Sequence, residues 1–461
     1  MAGIGWRLER MIAHGSLAGS FAAYLTGAAV TSAPWLLTTV ALVAMHLLAR
    51  THAGMGEFPQ VEQIVTVTYA VTLVLGAPVH IVVSRYAADR LYERRPAAIA
   101  APLYRALAMT LLGFSLVGLV TATLIAAPLP LACAVPALTV VVGGQWLLLG
   151  VGGGLCSPAV VLRAFGAGTV VSIAGAIVLE RAAGLGARGF LYGFTAGQAV
   201  AMTGMLIGVL CALPDGDDSA GDPGPGPRLG FAFREYRLLA ASAFASQLAM
   251  WADKLMIWLL AGRDLAVIYA SAAALAWFSV IPAFAWIFVE LETAFYRAFR
   301  GFYGAIEGGA GLAEVAAGAA ALRREATRIL HGAVAIQLVV TALVLVGSDR
   351  LVLAIDLPRA AITPFRLVAL AAVPQLVTLV GMILLHYFDL RRDALVVATT
   401  HLVGCAAATA AACALGIPPG IGSVTASTLS AAIVLRVVTS RLRTLVADTF
   451  QSQPYSDELL D

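Results

Sequence analysis

Charged residues are scarce in this chain: 12% of its 461 residues are Asp, Glu, Lys or Arg, and 60% are hydrophobic. Soluble domains carry about 25% charged residues; with a mean hydropathy of +0.90, a soluble fold is excluded. Lysine is nearly missing. Lys254 is the single one and Asp253 precedes it, so the Gly-Lys-Ser/Thr core of a phosphate-binding loop cannot be written anywhere, which excludes ATP hydrolysis by that route. Cysteine is sparse. Cys133, Cys156, Cys211, Cys405 and Cys413 lie in or beside apolar stretches, with no Cys-x-x-Cys pair and no histidine at metal-ligand spacing, so they read as small apolar filler and no metal or cofactor is expected. A basic surplus is lacking as well: 29 basic and 26 acidic residues leave +3, too little and too scattered for a nucleic-acid surface.

What the chain does contain is a succession of apolar runs. A bilayer-spanning helix needs about 20 apolar residues, and cutting at charge clusters and Pro/Gly turns predicts spans near 22–49, 61–84, 106–127, 131–152, 164–180 and 189–213. A second set follows near 238–261, 267–290, 329–348, 363–388, 395–416 and 420–440. Between the sets, residues 214–228 read PDGDDSAGDPGPGPR, a string that can bury nothing and reads as a solvated linker rather than a metal-binding Asp-x-Asp. The predicted fold class is therefore an all-α polytopic membrane protein with about twelve transmembrane helices. They form two six-helix lobes, 1–213 and 237–441, joined by a linker at 214–236 and followed by a tail at 442–461. The run at 22–49 exceeds the 7 to 15 residue core of a signal peptide, so it reads as a retained anchor. The longest non-membrane piece, 291–328, falls far below the roughly 100 residues of a soluble catalytic domain, so no enzymatic activity is expected.

Arginine sets the expected orientation. The tail, residues 85–105, Arg163, the linker, residues 291–328, Arg391 with Arg392, and Arg436, Arg441 and Arg443 place 21 arginines on one side. Arg50, Arg181, Arg188, Arg263, Arg350 and Arg359 lie on the other. Basic loops stay inside, which puts both termini in the cytoplasm.

Charges within spans are rare because each costs about 2.5 to 3.5 kcal/mol on insertion. Trp251-Ala252-Asp253-Lys254 in the seventh span stands out. Neighbouring helical positions point about 100° apart, so at least one of Asp253 and Lys254 faces an interior, unless Lys254 snorkels to the interface and Asp253 merely neutralises it. Glu290 and Glu292 close the eighth span and read as interfacial. Gln145, Gln198, Gln247, Gln337 and Gln375 fit either helix-to-helix glue or a polar lumen. Pro34, Pro78, Pro282 and Pro374 fit either packing kinks or broken helices beside a cavity. After the eighth span, Phe295, Phe299 and Phe302 recur on one helical face, with Arg297 and Arg300 off it, a pattern for docking a partner or for lying on the inner leaflet. Arg85 and Arg90 mark the other Arg-rich, Tyr-containing loop.

Several blocks in order along the chain resemble the PelG family of inner-membrane exopolysaccharide transporters. They are Met1-Ala2-Gly3-Ile4-Gly5-Trp6-Arg7-Leu8-Glu9-Arg10, Thr31-Ser32-Ala33-Pro34-Trp35, Ser84-Arg85-Tyr86-Ala87-Ala88-Asp89-Arg90-Leu91-Tyr92 and Trp251-Ala252-Asp253-Lys254. Val289-Glu290-Leu291-Glu292-Thr293-Ala294-Phe295-Tyr296 and Tyr387-Phe388-Asp389-Leu390-Arg391-Arg392 continue the series. The chain departs from the family pattern at Ala33, at His386 and in the loop at 417–422.

The resemblance implies a fold of the multidrug/oligosaccharidyl-lipid/polysaccharide exporter superfamily. It implies a transporter of a Pel-type, N-acetylhexosamine-rich polymer across the bacterial inner membrane, made by a cytoplasmic glycosyltransferase in a complex with cyclic di-GMP-regulated membrane subunits. Taken with the residue reading, it points to an intramembrane polar network of Asp253, Lys254, Trp251, Gln247, Trp35 and Pro34. Docking is expected at Phe295, Phe299, Phe302, Arg297 and Arg300, or at Arg85 and Arg90. Two other classes fit the composition: a cation-coupled drug or small-solute antiporter of the same fold, which needs a carboxylate that cycles its charge, and a membrane scaffold for a polysaccharide synthase.

Overall fold

The computed structural model describes residues 17–51, 58–93, 95–125, 128–181, 183–213 and 229–451. The opening block at 1–10, the Pro/Gly/Asp string at 214–228 and residues 452–461 lie outside them. Every regular element among the described residues is helical. The first set comprises α1 (Leu17–Thr51), α2 (Phe58–Tyr92), α3 (Ala100–Ile125), α4 (Ala134–Leu155), α5 (Pro158–Arg181) and α6 (Ala187–Ala212). After α7 (Arg237–Ala261), α8 (Arg263–Trp277) passes through a 3-10 turn into α9 (Ile281–Glu290), and a π-helical turn at Leu291–Phe295 leads into α10 (Tyr296–Glu307). The chain closes with α11 (Leu312–Val346), α12 (Ile362–Tyr387), α13 (Arg391–Ala414) and α14 (Gly420–Gln451).

Among the described residues, 11 helical stretches are long and apolar enough to cross a membrane. The 25-residue α7 falls outside that set because Gln247, Asp253 and Lys254 dilute its apolar run. With α7 included, the succession matches the spans expected from the sequence. The chain is an all-α, multi-pass membrane protein.

By packing, the described chain divides into residues 29–251 and residues 17–28 with 252–451. Composition places the break in the linker, whereas packing places it inside α1 and α7. A helix is continuous in sequence, yet its two halves can bury themselves against different neighbours. Within each unit the fourth span of its set is central: α4 packs on α2, α3 and α6, and α12 packs on α8, α11 and α14. These are also the two most buried membrane helices of the described chain.

Small residues let the helices close up, since between membrane helices packing and hydrogen bonding replace the hydrophobic drive. The densest pair is α5 with α6, where Gly189, Gly193 and Gly197 repeat every fourth residue along one face. A methyl at Gly197 would run into Ser172 and the Gly168 carbonyl, and one at Gly193 into the Ala176 backbone.

Three expectations change in the structure. Residues 229–235, placed in the linker, form a short helix whose Ala232 and following Tyr236 pack on Val82 and Tyr86 of α2. The expected tail from 442 instead continues α14 to Gln451. The loop 291–328 is a helical hairpin of α10 and the first half of α11, turned at Gly309, whose φ of +68° favours glycine. Pro34, Pro78 and Pro374 lie inside unbroken helices, while Pro282 opens α9 directly after the 3-10 turn.

Candidate functional site

Asp253 sits on the second half of α7, 5% exposed. Its Oδ1 accepts from the Lys254 backbone N–H at 2.8 Å and from Lys254 Nζ at 2.9 Å. Its Oδ2 accepts from Tyr269 Oη of α8 at 2.8 Å and from Ser423 Oγ of α14 at 2.8 Å. Tyr269 Oη and Ser423 Oγ are 2.9 Å apart, and Lys254 Nζ lies 5.9 Å from the Tyr269 ring centroid. Sequence order hides this arrangement: one carboxylate ties together three helices separated by up to 170 positions. Lys254 turns inward to its neighbour, with its side chain 18% exposed, rather than reaching to the interface. A buried charge is tolerable when paired and fully hydrogen-bonded, and Asp253 meets both conditions. Beside this knot, Cys405 of α13 packs with Ala252 and Ala426, and His401 Nδ1 lies 2.9 Å from Ser430 Oγ of α14.

The rest of the expected network is distributed. Pro34, Trp35, Gln247 and Trp251 belong to the unit 29–251, whereas Asp253 and Lys254 belong to the other; all four side chains are half-buried. Gln145 and Gln198 behave as helix glue. Both are buried, Gln145 Nε2 donates to the Gln198 carbonyl at 2.8 Å, and Tyr69 Oη donates to Gln198 Oε1 at 3.1 Å. Gln337 is likewise buried, donating to Thr341 Oγ1 at 3.1 Å and to Ser279 Oγ at 3.3 Å.

A second buried carboxylate, Glu290 at the end of α9, pairs with Arg328 of α11 and accepts from Tyr24 Oη at 3.1 Å. Tyr24 also stacks on Trp286, with ring centroids 5.7 Å apart. The start of α1 is thereby fastened to α9 and α11. The sequence reads Glu290 as interfacial; the arginine that neutralises it lies 38 residues away and no local pattern points to it. Glu292, buried in the π-helical turn, has no hydrogen bond or ion pair among the described residues.

The expected docking stripe is turned inward. Phe295 and Phe302 are fully buried. Phe295 packs edge-on against Tyr387 at 5.2 Å, and Phe302 lies over Gly318 of α11. Phe299 packs on Tyr303, Tyr387 and Phe388. Arg297 and Arg300 are exposed on the opposite face. The amphipathic period is present, but its apolar face is satisfied by the hairpin and the end of α12.

Arg85 and Arg90 line the end of α2 in a polar constellation. Arg85 Nε lies 3.2 Å from Asp89 Oδ1, Arg90 Nη1 lies 2.6 Å from Glu93 Oε2, and the Arg90 guanidinium sits 5.3 Å from the Tyr86 ring centroid. Tyr236 donates to Asp89. Burial, and then the Asp89 carboxylate it donates to, hold the Tyr236 phenol above its ordinary range. Asp89, Arg90, Tyr92, Glu93, Phe231 and Glu235 surround a pocket of about 290 Å³. The sequence blocks that carried the resemblance are thus largely the polar cross-links of the fold. Of their partners, Tyr24, Tyr269 and Ser423 are single polar residues in otherwise ordinary helices, while Tyr236 stands in the expected linker and Arg328 only in the arginine count, so no local pattern singles any of them out.

Among the described residues, no group of three His, Cys, Asp or Glu side chains is placed to hold a metal ion. The family model PelG, described as "Putative exopolysaccharide Exporter (EPS-E)", matches residues 1–450. No curated protein matches. Solved structures of MATE transporters share the fold at low identity. One, the outward-facing conformation of a multidrug resistance MATE family transporter of the MOP superfamily, superposes with a TM-score of 0.67 and 14% identity over 92% of this chain and 96% of that one. The inward-facing conformation of such a transporter gives 0.61 and 13% over 92% and 95%. A MATE in the straight conformation gives 0.67 and 13% over 97% and 99%.

Proposed function

As a member of the PelG family of exopolysaccharide exporters, to which the match over residues 1–450 assigns it, this chain is, we propose, the inner-membrane conduit that moves a Pel-type, N-acetylhexosamine-rich polymer from cytoplasm to periplasm. It works without chemistry of its own, beside a cytoplasmic glycosyltransferase and cyclic di-GMP-regulated membrane subunits, with both termini cytoplasmic. The observation that carries this reading over a cation-coupled antiporter is the Asp253 knot. An antiporter needs a carboxylate that gains and loses its charge. Asp253, the carboxylate the sequence offers for that role, instead holds a lysine and two hydroxyl donors within 2.9 Å, an arrangement that supports a structural cross-link between helices.

For the glycosyltransferase, the inward Phe stripe moves the proposed docking surface to the Arg90 pocket, where Tyr92 and Phe231 are 73% and 57% exposed. Such half-wet aromatic side chains beside charged ones are the residue types that anchor protein interfaces.

Deleting the gene and measuring surface polysaccharide tests the function. Loss restored by the wild-type chain, and indifferent to collapsing the proton or sodium gradient, is the expected result. Unchanged polysaccharide with a new drug sensitivity would favour the antiporter.

A further inference from the structure

We propose that the second half of α14 carries a binding site for the phosphodiester of an anionic phospholipid, held by Arg436 and Arg443. The two arginines are exposed, seven positions apart, and therefore two helical turns or about 10.5 Å from each other on one face. With Leu435, Thr439, Ser440 and Thr444 they line a concave surface of about 480 Å³. Neither arginine has an ion pair or hydrogen bond among the described residues. Arg441, on the same helix, shows the contrast: its Nε lies 2.7 Å from Asp393 Oδ2, and Asp448 is within 3.7 Å.

Two of the groove's three hydroxyls tell the same story independently. In helices, Thr commonly returns its hydroxyl to the carbonyl four residues back, as Thr425, Thr428 and Thr449 do on α14. Thr439 and Ser440, between the two arginines, donate to nothing among the described residues, whereas Thr444 at the groove's end donates to Asp448 Oδ2 at 2.8 Å. The groove therefore offers two guanidinium forks and two unused hydroxyls, a donor set without an acceptor. Arg and phosphate oxygens form bidentate, charge-assisted hydrogen bonds.

Depth selects the lipid. With the far hydrocarbon boundary taken at Gly420, the start of α14, Arg436 lies about 24 Å and Arg443 about 35 Å along the helix, against a hydrocarbon core about 30 Å thick. The pair brackets the plane where acyl chains give way to phosphates. The same face continues toward mid-membrane as exposed Leu429, Ala432 and Leu435, an apolar track for an acyl chain leading up to the donor set.

The test uses the full chain in a neutral detergent, titrated with fluorescent phosphatidylglycerol and separately with phosphatidylcholine. An arginine near an anionic lipid surface gives roughly a fivefold gain in affinity. Saturable phosphatidylglycerol binding should weaken about twenty-five-fold in Arg436→Gln/Arg443→Gln and change less than twofold in Arg441→Gln. Gel-filtration profile and thermal transition, compared across the variants, separate lost binding from lost fold. Equal binding of phosphatidylcholine, or equal loss in Arg441→Gln, overturns the proposal. Full displacement by millimolar inorganic phosphate overturns the lipid in favour of a soluble phosphate. Unchanged lipid binding with reduced glycosyltransferase co-purification overturns it in favour of a protein contact.

Discussion

Asp253 and Lys254 provide the sharpest energetic test of the fold, because the structure makes them one unit rather than two charges. In Asp253→Asn, the hydrogen bonds from Tyr269 and Ser423 pass from a charged acceptor, worth about 1.5 to 3 kcal/mol each, to a neutral one worth about 0.5 to 1.5. Lys254 also loses its counter-ion. Breaking a buried pair costs about 3 to 5 kcal/mol; because the Lys254 side chain keeps 18% exposure, the lower end, about 3 kcal/mol, is expected. Lys254→Met is milder, about 2 kcal/mol, since Asp253 keeps Tyr269, Ser423 and the backbone N–H of residue 254. Independent effects would sum to about 5 kcal/mol in the double variant. The pair predicts instead a double variant no worse than Asp253→Asn, a coupling of about 2 kcal/mol, inside the range for contacting residues. Reversible unfolding of the four proteins by SDS titration in mixed micelles measures all the terms. Additivity within about 0.5 kcal/mol would refute the reasoning and make the contacts incidental.

Further outcomes follow from the other contacts. Gly193→Ala should cost about 3 kcal/mol or more by forcing α5 and α6 apart, seen as lost folded protein in the membrane fraction, whereas Gly166→Ala, with nothing within 4 Å, should be silent. Glu290→Gln should lower the thermal transition of the purified protein more than Tyr24→Phe, because it strands Arg328 as well as losing the tyrosine hydrogen bond; equal shifts would show that the ion pair contributes nothing. Phe295→Ala should destabilise by about 3 to 5 kcal/mol as a core truncation, read in the same SDS titration, and reduced glycosyltransferase co-purification from a fully stable variant would restore the stripe as a docking surface. Reporter fusions at residues 220 and 355 should report opposite sides of the membrane.

Sequence alone was sufficient for the class of molecule and for the number of spans, because those depend on local quantities. Apolar run length against bilayer thickness is read directly from the chain, and so are the amphipathic face of α10 and the oddness of Asp253-Lys254. The motif blocks also stand in the sequence, and they identified the family before any contact was known. What the sequence could not carry is the partner of each polar residue. Tyr269 and Ser423 converge on Asp253 from 16 and 170 positions away, and Arg328 reaches Glu290 from 38; no periodicity encodes a distance closed by packing. The Phe stripe shows the same limit from the other side. Periodicity established that Phe295, Phe299 and Phe302 share a face, but whether that face meets a partner, a lipid or the protein itself depends on what lies opposite. Tertiary structure put Tyr387, Phe388 and Gly318 there. The division into units followed the same rule, falling within α1 and α7, because composition marks where a chain can be wet and only packing decides which neighbours each half of a helix keeps.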